Sequence, residues 1–161
     1  MARPISYASQ TLQDYGKVGS GTGGEKSSWS FWTANLTAAN LTAQEGLISA
    51  LFTATLDITR GSQSSTRILA ASTSSAVTNN DPLAQRENKW LVRYHDADGT
   101  KFTLEIPTAD LSLLTDGDEF LDLTGTEAAA FKTAFEAVVK SPDDPTLATT
   151  LDSMQFVGRR N

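Results

Sequence analysis

The feature that most constrains this chain is a period-two alternation of side chains on both sides of the dipeptide Asp98-Gly99. Six apolar residues recur at every second position, three before the dipeptide and three after it: Trp90, Val92, Tyr94, Phe102, Leu104 and Ile106. Such alternation is typical of β-strands that bury one face. We therefore predict a β-hairpin over residues 89–107, ended by Pro107 because proline cannot donate a ladder hydrogen bond.

The length of the hairpin loop follows from the same six residues. A two-residue loop would place Phe102 opposite His95 and mix the apolar and polar faces, because a slip of one residue inverts every side chain. A three-residue loop at 97–99 places Phe102 opposite Tyr94 and keeps the apolar residues on one face. Gly99 then occupies the left-handed position of a type I turn with a bulge. We predict the three-residue loop.

Two other stretches carry apolar residues at helical spacing, and we predict helices over 42–54 and 125–140. Each contains a Thr-x-x-Glu capping box at its start, Thr42 with Glu45 and Thr124 with Glu127. A Leu precedes each Thr. This repeated pattern fits either a duplicated unit or chance, since capping boxes are common.

The remaining apolar segments complete the predicted fold. Short strands are expected at 29–33, around Leu56 and Ile58, at 67–71 and at 154–157. The resulting order is strand, helix, strand, hairpin, helix, strand. It favours an α+β fold with a mainly antiparallel sheet and two helices on one face, related to split βαβ folds.

The composition divides the chain into two parts. Residues 1–28 are rich in Gly, Ser, Thr and Gln, which predicts an extended N-terminal arm that is flexible or ordered by a partner. The following 29–161 are expected to form a single α+β domain, which is long enough to bury a core without disulfides.

Charge and composition exclude several classes of protein. The chain has no Cys, so thiolate metal sites and cysteine nucleophiles are excluded. Its net charge is −6, and nucleic acid is not expected to be its main partner because phosphate binding needs Lys and Arg. No apolar run approaches the roughly 20 residues that span a bilayer, and no apolar signal core is present near Met1, so we expect neither a membrane span nor a secretory signal.

The sequence contains no pattern that indicates catalysis. His95 is the only histidine, and it lies on the predicted outer face of the hairpin. A calcium loop starting at Asp96 would need Glu at its twelfth position, which is Pro107. The acidic cluster at 116–119 fits a solvated loop better than paired catalytic carboxylates. We predict that the protein is not an enzyme and that it uses no cofactor and no metal.

Aromatic and terminal basic residues are the best candidates for contacts with other proteins. The tryptophans fit either a core or an interface, where aromatic side chains anchor binding. The predicted assembly contacts are Tyr15, Trp29, Trp32, Arg159 and Arg160.

Three segments resemble small structural proteins encoded in phage and environmental viral genomes. They are WLVRYHDADGTKFTLEIPTADLSLL at 90–114, TEAAAFKTAFEAVVKSPDD at 126–144 and LDSMQFVGRR at 151–160. Weaker similarity lies in TLQDYG at 11–16 and LTAQEGLISAL at 41–51.

The resemblance implies a virion structural protein that assembles in the host cytoplasm, as a coat or a capsid cement or decoration subunit. Its partners would be copies of itself, other virion proteins, or both. Two alternatives stay open: a tail-tube or filament subunit, and a glycan- or protein-binding module. The assembly proteins predict self-association, whereas the binding module predicts a monomer with a concave aromatic pocket.

Overall fold

The computed structural model describes residues 6–14, 25–59, 61–68, 88–107, 109, 113–114 and 118–158. These residues form six strands and two helices. In chain order they are β1 (Tyr7–Asp14), β2 (Glu25–Trp32), α1 (Leu41–Thr59), β3 (Gly61–Ile68), β4 (Asn88–Asp96), β5 (Lys101–Pro107), α2 (Thr126–Val138) and β6 (Thr149–Gly158).

The strands form two antiparallel three-stranded sheets, with the orders β2-β1-β3 and β5-β4-β6. Each half of the chain therefore has the same topology: a hairpin, a helix, and a third strand that returns to pair with the first. The edge strands β2 and β5 run side by side, but within the described ranges no ladder joins them. The α+β class is confirmed, and the single sheet that we predicted is divided at this seam between β2 and β5.

The predicted hairpin is confirmed with its register. Tyr94 lies opposite Phe102, and the other apolar pairs follow in step along β4 and β5. The Gly99 amide donates to the Asp96 carbonyl at 2.9 Å, which closes a type I turn. Gly99 has φ 86°, the left-handed conformation that glycine adopts without steric cost.

Helix α1 is longer than predicted, and the prediction of a capping box at Thr42 is wrong. It continues to Thr59, so Leu56 and Ile58 lie on the helix rather than in a strand. Thr42 is exposed inside the first turn. The chain turns at Asn40 instead, whose side-chain oxygen accepts the Thr37 amide at 2.7 Å.

Helix α2 also begins without the predicted cap. Its N-cap is Gly125, which makes no side-chain cap hydrogen bond. The Thr124 hydroxyl donates to Asp122 at 2.6 Å, and the Thr124 amide donates to the same carboxylate at 3.0 Å. Thr124 is therefore held by a local turn, which competes with the capping box for the same hydroxyl.

The predicted arm is wrong for two stretches of residues 1–28. Residues 7–14 form β1, the central strand of its sheet, and residues 25–28 begin β2. Ala8 and Leu12 are fully buried, so this segment belongs to the core. The other residues of the predicted arm, except Ser6, lie outside the described residues.

Two further strand predictions had the wrong boundaries. Strand β6 covers 149–158 rather than 154–157. Strand β3 covers 61–68, where we predicted mostly loop and a strand only from 67.

Both helices cover the same face of the two sheets and form one core beneath the seam. Trp29 of β2 contacts Phe131 of α2, with ring centroids 6.5 Å apart. Phe31, also on β2, contacts the α1 ring of Phe52 at 5.9 Å. On the other side of the seam, the Trp90 indole donates to the carbonyl of residue 58 in α1 at 2.7 Å. Each helix thus contacts strands on both sides of the seam.

A buried amide links the first sheet to its helix. Gln10 is fully buried in the central strand β1. Its oxygen accepts the indole N–H of Trp29 at 2.9 Å, and its nitrogen donates to the Phe52 carbonyl at 3.1 Å. Because an unpaired buried polar group is costly, this pair of bonds makes a polar residue stable at a core position.

We expect the change Gln10→Leu to destabilise the protein by about 1–3 kcal/mol, because it leaves the Trp29 indole N–H buried without an acceptor. Urea unfolding followed by tryptophan fluorescence measures the loss. The matched control is Gln155→Leu, since Gln155 is half-buried on the outer side of β6, and a change there is expected to cost less than about 1 kcal/mol. Equal losses in the two variants would contradict the structural role of Gln10.

Candidate functional site

A groove lies at the seam between β2 and β5. Its volume is about 400 Å³. We call it the seam groove, and its lining residues are Tyr7, Ser30, Phe31, Trp32, Tyr94, Thr103, Leu104 and Pro142.

The alternation of side chains along the strands sets the depth of each lining residue. Phe31 and Leu104 point toward the core, where both pack against the buried cluster, so they form the floor. Ser30 and Thr103 are exposed and lie on the opposite strand faces, so they form the mouth. The seam groove therefore opens on the outer side of the sheets, away from the helices.

One wall of the seam groove is aromatic. Tyr7 and Trp32 lie opposite each other in the β1–β2 register. Their ring centroids are 5.6 Å apart and the planes cross at 76°, an edge-to-face arrangement. Both residues are half-buried, so part of each ring stays accessible to a ligand.

The buried residue Tyr94 lines the seam groove. The residue is only 5% exposed, and its ring packs on Phe135 with centroids 5.3 Å apart. Burial raises the pKa of Tyr94 to about 12, so the hydroxyl keeps its proton at neutral pH. Within the described parts of the chain this hydroxyl makes no hydrogen bond, which leaves it able to donate and accept toward the groove.

The connection from α2 to β6 closes one end of the seam groove. The amide of Lys140 donates to the Trp32 carbonyl at 2.9 Å, a backbone bond that reaches β2. The Ser141 hydroxyl donates to the Asp96 carboxylate at 2.8 Å. These two bonds hold the connection on both sides of the seam and position Pro142 against the groove.

Asp96 is the centre of a local hydrogen-bond network at the hairpin turn. One carboxylate oxygen accepts the amides of Asp98 and Thr100 at 2.9 and 3.0 Å, and the other accepts the Ser141 hydroxyl. Burial by itself would raise the pKa of Asp96. The hydrogen bonds from Ser141, Thr100 and Asp98, together with the nearby His95, outweigh burial and lower that pKa.

The structure brings one of the five predicted contact residues to the groove. Trp32 lies in its aromatic wall. Trp29 is 4% exposed and bonded to Gln10, so it is a core residue that a partner cannot reach in this fold. Tyr15, Arg159 and Arg160 lie outside the described residues.

Sequence reasoning missed the other lining residues because they come from separate segments. Tyr7 was assigned to an arm, and Thr103 was one of several polar residues on a hairpin face. The only signal in the sequence was the outward position of Trp32 next to the inward Phe31, in a strand that we predicted.

The remaining candidate residues lie at the surface. His95 Nδ1 is 2.9 Å from both carboxylate oxygens of Asp152, and both side chains are partly exposed. Asp118 and Glu119 are exposed, while residue 116 lies outside the described residues. Over the described ranges no group of three or more metal-ligating side chains occurs, and none of the helices is long and apolar enough to cross a membrane.

Together these features define an α+β protein built from two ββαβ units. Where the units meet lies an aromatic groove whose described lining residues carry no charge. No protein-family model, no curated protein and no solved structure matches this chain.

We expect the change Asp96→Asn to lower stability at pH 7 by about 1 kcal/mol, because an amide cannot accept the Ser141 hydroxyl with its nitrogen. Since folding lowers the pKa of Asp96, its stabilising effect is present above the unfolded pKa near 4 and disappears as pH falls through the folded value. The difference between wild type and variant should therefore be constant from pH 7 to 5 and narrow below pH 4. Urea midpoints measured across this range test both points.

Asp98→Asn is the matched control for this variant, because Asp98 occupies the same turn and is exposed. Its urea midpoint should stay within error of wild type. A difference between Asp96→Asn and wild type that does not change with pH would contradict the proposed network.

Proposed function

We propose that this protein is a virion structural protein, a coat or capsid cement or decoration subunit, that acts by self-assembly and without catalysis. In this proposal it assembles in the host cytoplasm and contacts copies of itself or other virion proteins. Its resemblance in residues 83–161 to viral structural proteins supports this function. The structural observation that carries the proposal is an apolar patch on a sheet face that neither α1 nor α2 covers.

The patch lies on the outer face of β4 and β6. Phe120 pairs with Gln155 across the free side of β6, and Leu91 lies opposite Gln155 on the other side. Val157 follows two residues along the same face. Phe120 is 51% exposed and Val157 is 37% exposed. We call Leu91, Phe120, Gln155 and Val157 the outer-face patch.

The charges around the outer-face patch favour a second copy as its partner. Cations and a carboxylate both lie on this face, and Lys89 pairs with Glu105 at 3.0 Å across the strands. Arg93 donates to Gln155 at 2.9 Å. The chain as a whole has a net charge of −6, so a face that carries cations favours the approach of a second copy. A twofold contact would also place cations of one copy near carboxylates of the other.

A stable contact between two copies must bury more surface than the outer-face patch provides. Full burial of a Phe or Val side chain contributes roughly 1.5–3 kcal/mol, and association costs at least about 4 kcal/mol of lost freedom. Phe120 and Val157 therefore serve as anchors, and the rest of the exposed sheet face must contribute to a stable contact.

The edge of β6 argues against growth of a filament by adding strands to this sheet. The Leu121 amide donates to the Met154 carbonyl at 2.9 Å, and the Phe156 amide donates to the Glu119 carbonyl at 2.6 Å. These bonds occupy the middle of the β6 edge, so a neighbouring copy cannot pair there. Contact through the sheet face is therefore favoured over strand addition at β6.

The double variant Phe120→Ser with Val157→Thr should weaken self-association, so that at least tenfold more protein is needed for the same average mass. The physical reason is the loss of the two most exposed apolar side chains on the outer face. Light scattering and sedimentation velocity of the untagged protein over a range of concentrations measure the effect, and electron microscopy of any large assembly distinguishes a closed shell from a tube.

Leu47→Ser is the matched control, because Leu47 is 39% exposed but lies on α1, on the other side of the molecule. This variant should assemble like wild type. A wild-type protein that stays monomeric at every concentration, alone and with candidate shells, would contradict self-assembly and attachment to a capsid alike.

A further inference from the structure

We propose that the seam groove is a binding site for a neutral saccharide, with Trp32 as the stacking surface and the Tyr94 hydroxyl as a hydrogen-bonding group. This inference is independent of the outer-face patch and of self-assembly. It rests on the shape of the groove, the chemistry of its lining and the spacing of the strands beside it.

The lining selects an uncharged ligand. Of the described residues that contact the seam groove, none carries a charge at neutral pH. Tyr94 stays protonated because burial raises its pKa to about 12. An ionic ligand would lose its hydration there without gaining a counter-charge, which is costly.

The polar groups of the groove match a ligand with several hydroxyls. Its lining residues carry four side-chain hydroxyls and one indole N–H, and no hydrogen bond to another described residue uses them; they belong to Tyr7, Ser30, Trp32, Tyr94 and Thr103. Hydroxyls both donate and accept, so this set pairs with sugar hydroxyls in either role. The Tyr94 ring is buried and packs on Phe135, which fixes the position from which its hydroxyl can bind a ligand.

The aromatic wall supplies the apolar part of the recognition. The C–H face of a pyranose ring is apolar and flat enough to pack on the accessible part of Trp32, while its edge carries hydroxyls. The groove volume of about 400 Å³ lies within the range of small-molecule sites, about 300–1,000 Å³. This size suits one or two sugar rings.

Strand spacing argues against an extended peptide as the ligand. Cα atoms of β2 and β5 approach within 8 Å of each other. A third strand between them would need about 9.6 Å, which is two inter-strand spacings. Backbone pairing to both edges is therefore excluded without separating the sheets, whereas a sugar ring can enter from the outer side.

Tryptophan fluorescence provides a direct assay. All three tryptophans of the chain lie in described segments, and Trp29 and Trp90 are buried with their indole N–H groups bonded. Trp32 is the partly exposed one, so a ligand in the seam groove should protect it from quenching by acrylamide. The probes are glucose, galactose, mannose, N-acetylglucosamine, cellobiose and lactose, with N-acetylneuraminic acid as the charged comparison, each up to 50 mM.

We expect at least one neutral sugar to reduce acrylamide quenching saturably, while N-acetylneuraminic acid does not. Tyr94→Phe, which removes only the hydroxyl, should weaken that binding at least fivefold. Thr103→Arg should abolish sugar binding, because the longer side chain blocks the opening of the seam groove. The control is Thr150→Arg, the same change at an exposed position of β6 opposite His95, and it should bind like wild type.

Three results would overturn the proposal: no protection by any neutral sugar up to 50 mM, equal protection by the charged sugar, or undiminished binding by Thr103→Arg. Circular dichroism and urea unfolding of each variant establish that it is folded. Because Tyr94→Phe leaves the outer face of the sheets unchanged, self-association of this variant should equal that of wild type. A failure of sugar binding is thereby distinguishable from a failure of self-assembly.

Discussion

The two sheets are held together by the side chains beneath them, because no backbone ladder crosses the seam in the described residues. Trp29 meets Phe131 on one side of the seam, and Tyr94 meets Phe135 on the other, while Phe131 and Phe135 contact each other along α2. This aromatic chain replaces the hydrogen bonds that join neighbouring strands elsewhere. It needs α2 beneath the seam, and α1 packs on the same face through Phe31 and Phe52. Neither of these two helices covers the opposite face of the sheets.

The uncovered side therefore carries both proposed activities, at different places. The outer-face patch lies toward β6, where Phe120 covers the sheet edge, and the seam groove lies between β2 and β5. The network of Asp96 connects the hairpin turn to the segment that closes the groove. The hydrogen bonds of Asp96 thus stabilise the fold and also position the segment that closes the groove.

Local patterns predicted the parts of the fold that depend on local interactions. The hairpin register followed from side-chain alternation and from Gly99, both of which act within a few residues. The segment YASQTLQD could not be identified as a central strand, because Gln10 is stable in the core only through partners 19 and 42 residues away. Trp29 was ambiguous for the same reason. The predictions of the helix caps were wrong because local side-chain turns form instead. Asn40 accepts the Thr37 amide before α1, and Asp122 accepts the Thr124 hydroxyl before α2.

The repeated topology shows why no motif in the sequence identified the groove. The two halves share the order hairpin, helix, returning strand, yet their Leu-Thr-x-x-Glu segments are not equivalent: Thr42 lies inside α1, whereas Thr124 precedes α2 by two residues. The repeated motif is thus no evidence for duplication, while the common topology is. The seam groove forms only where the second strand of one unit meets the second strand of the other, so neither unit contains it alone. A site of this kind arises from the pairing of units, and its residues are distributed over five separate segments of the chain.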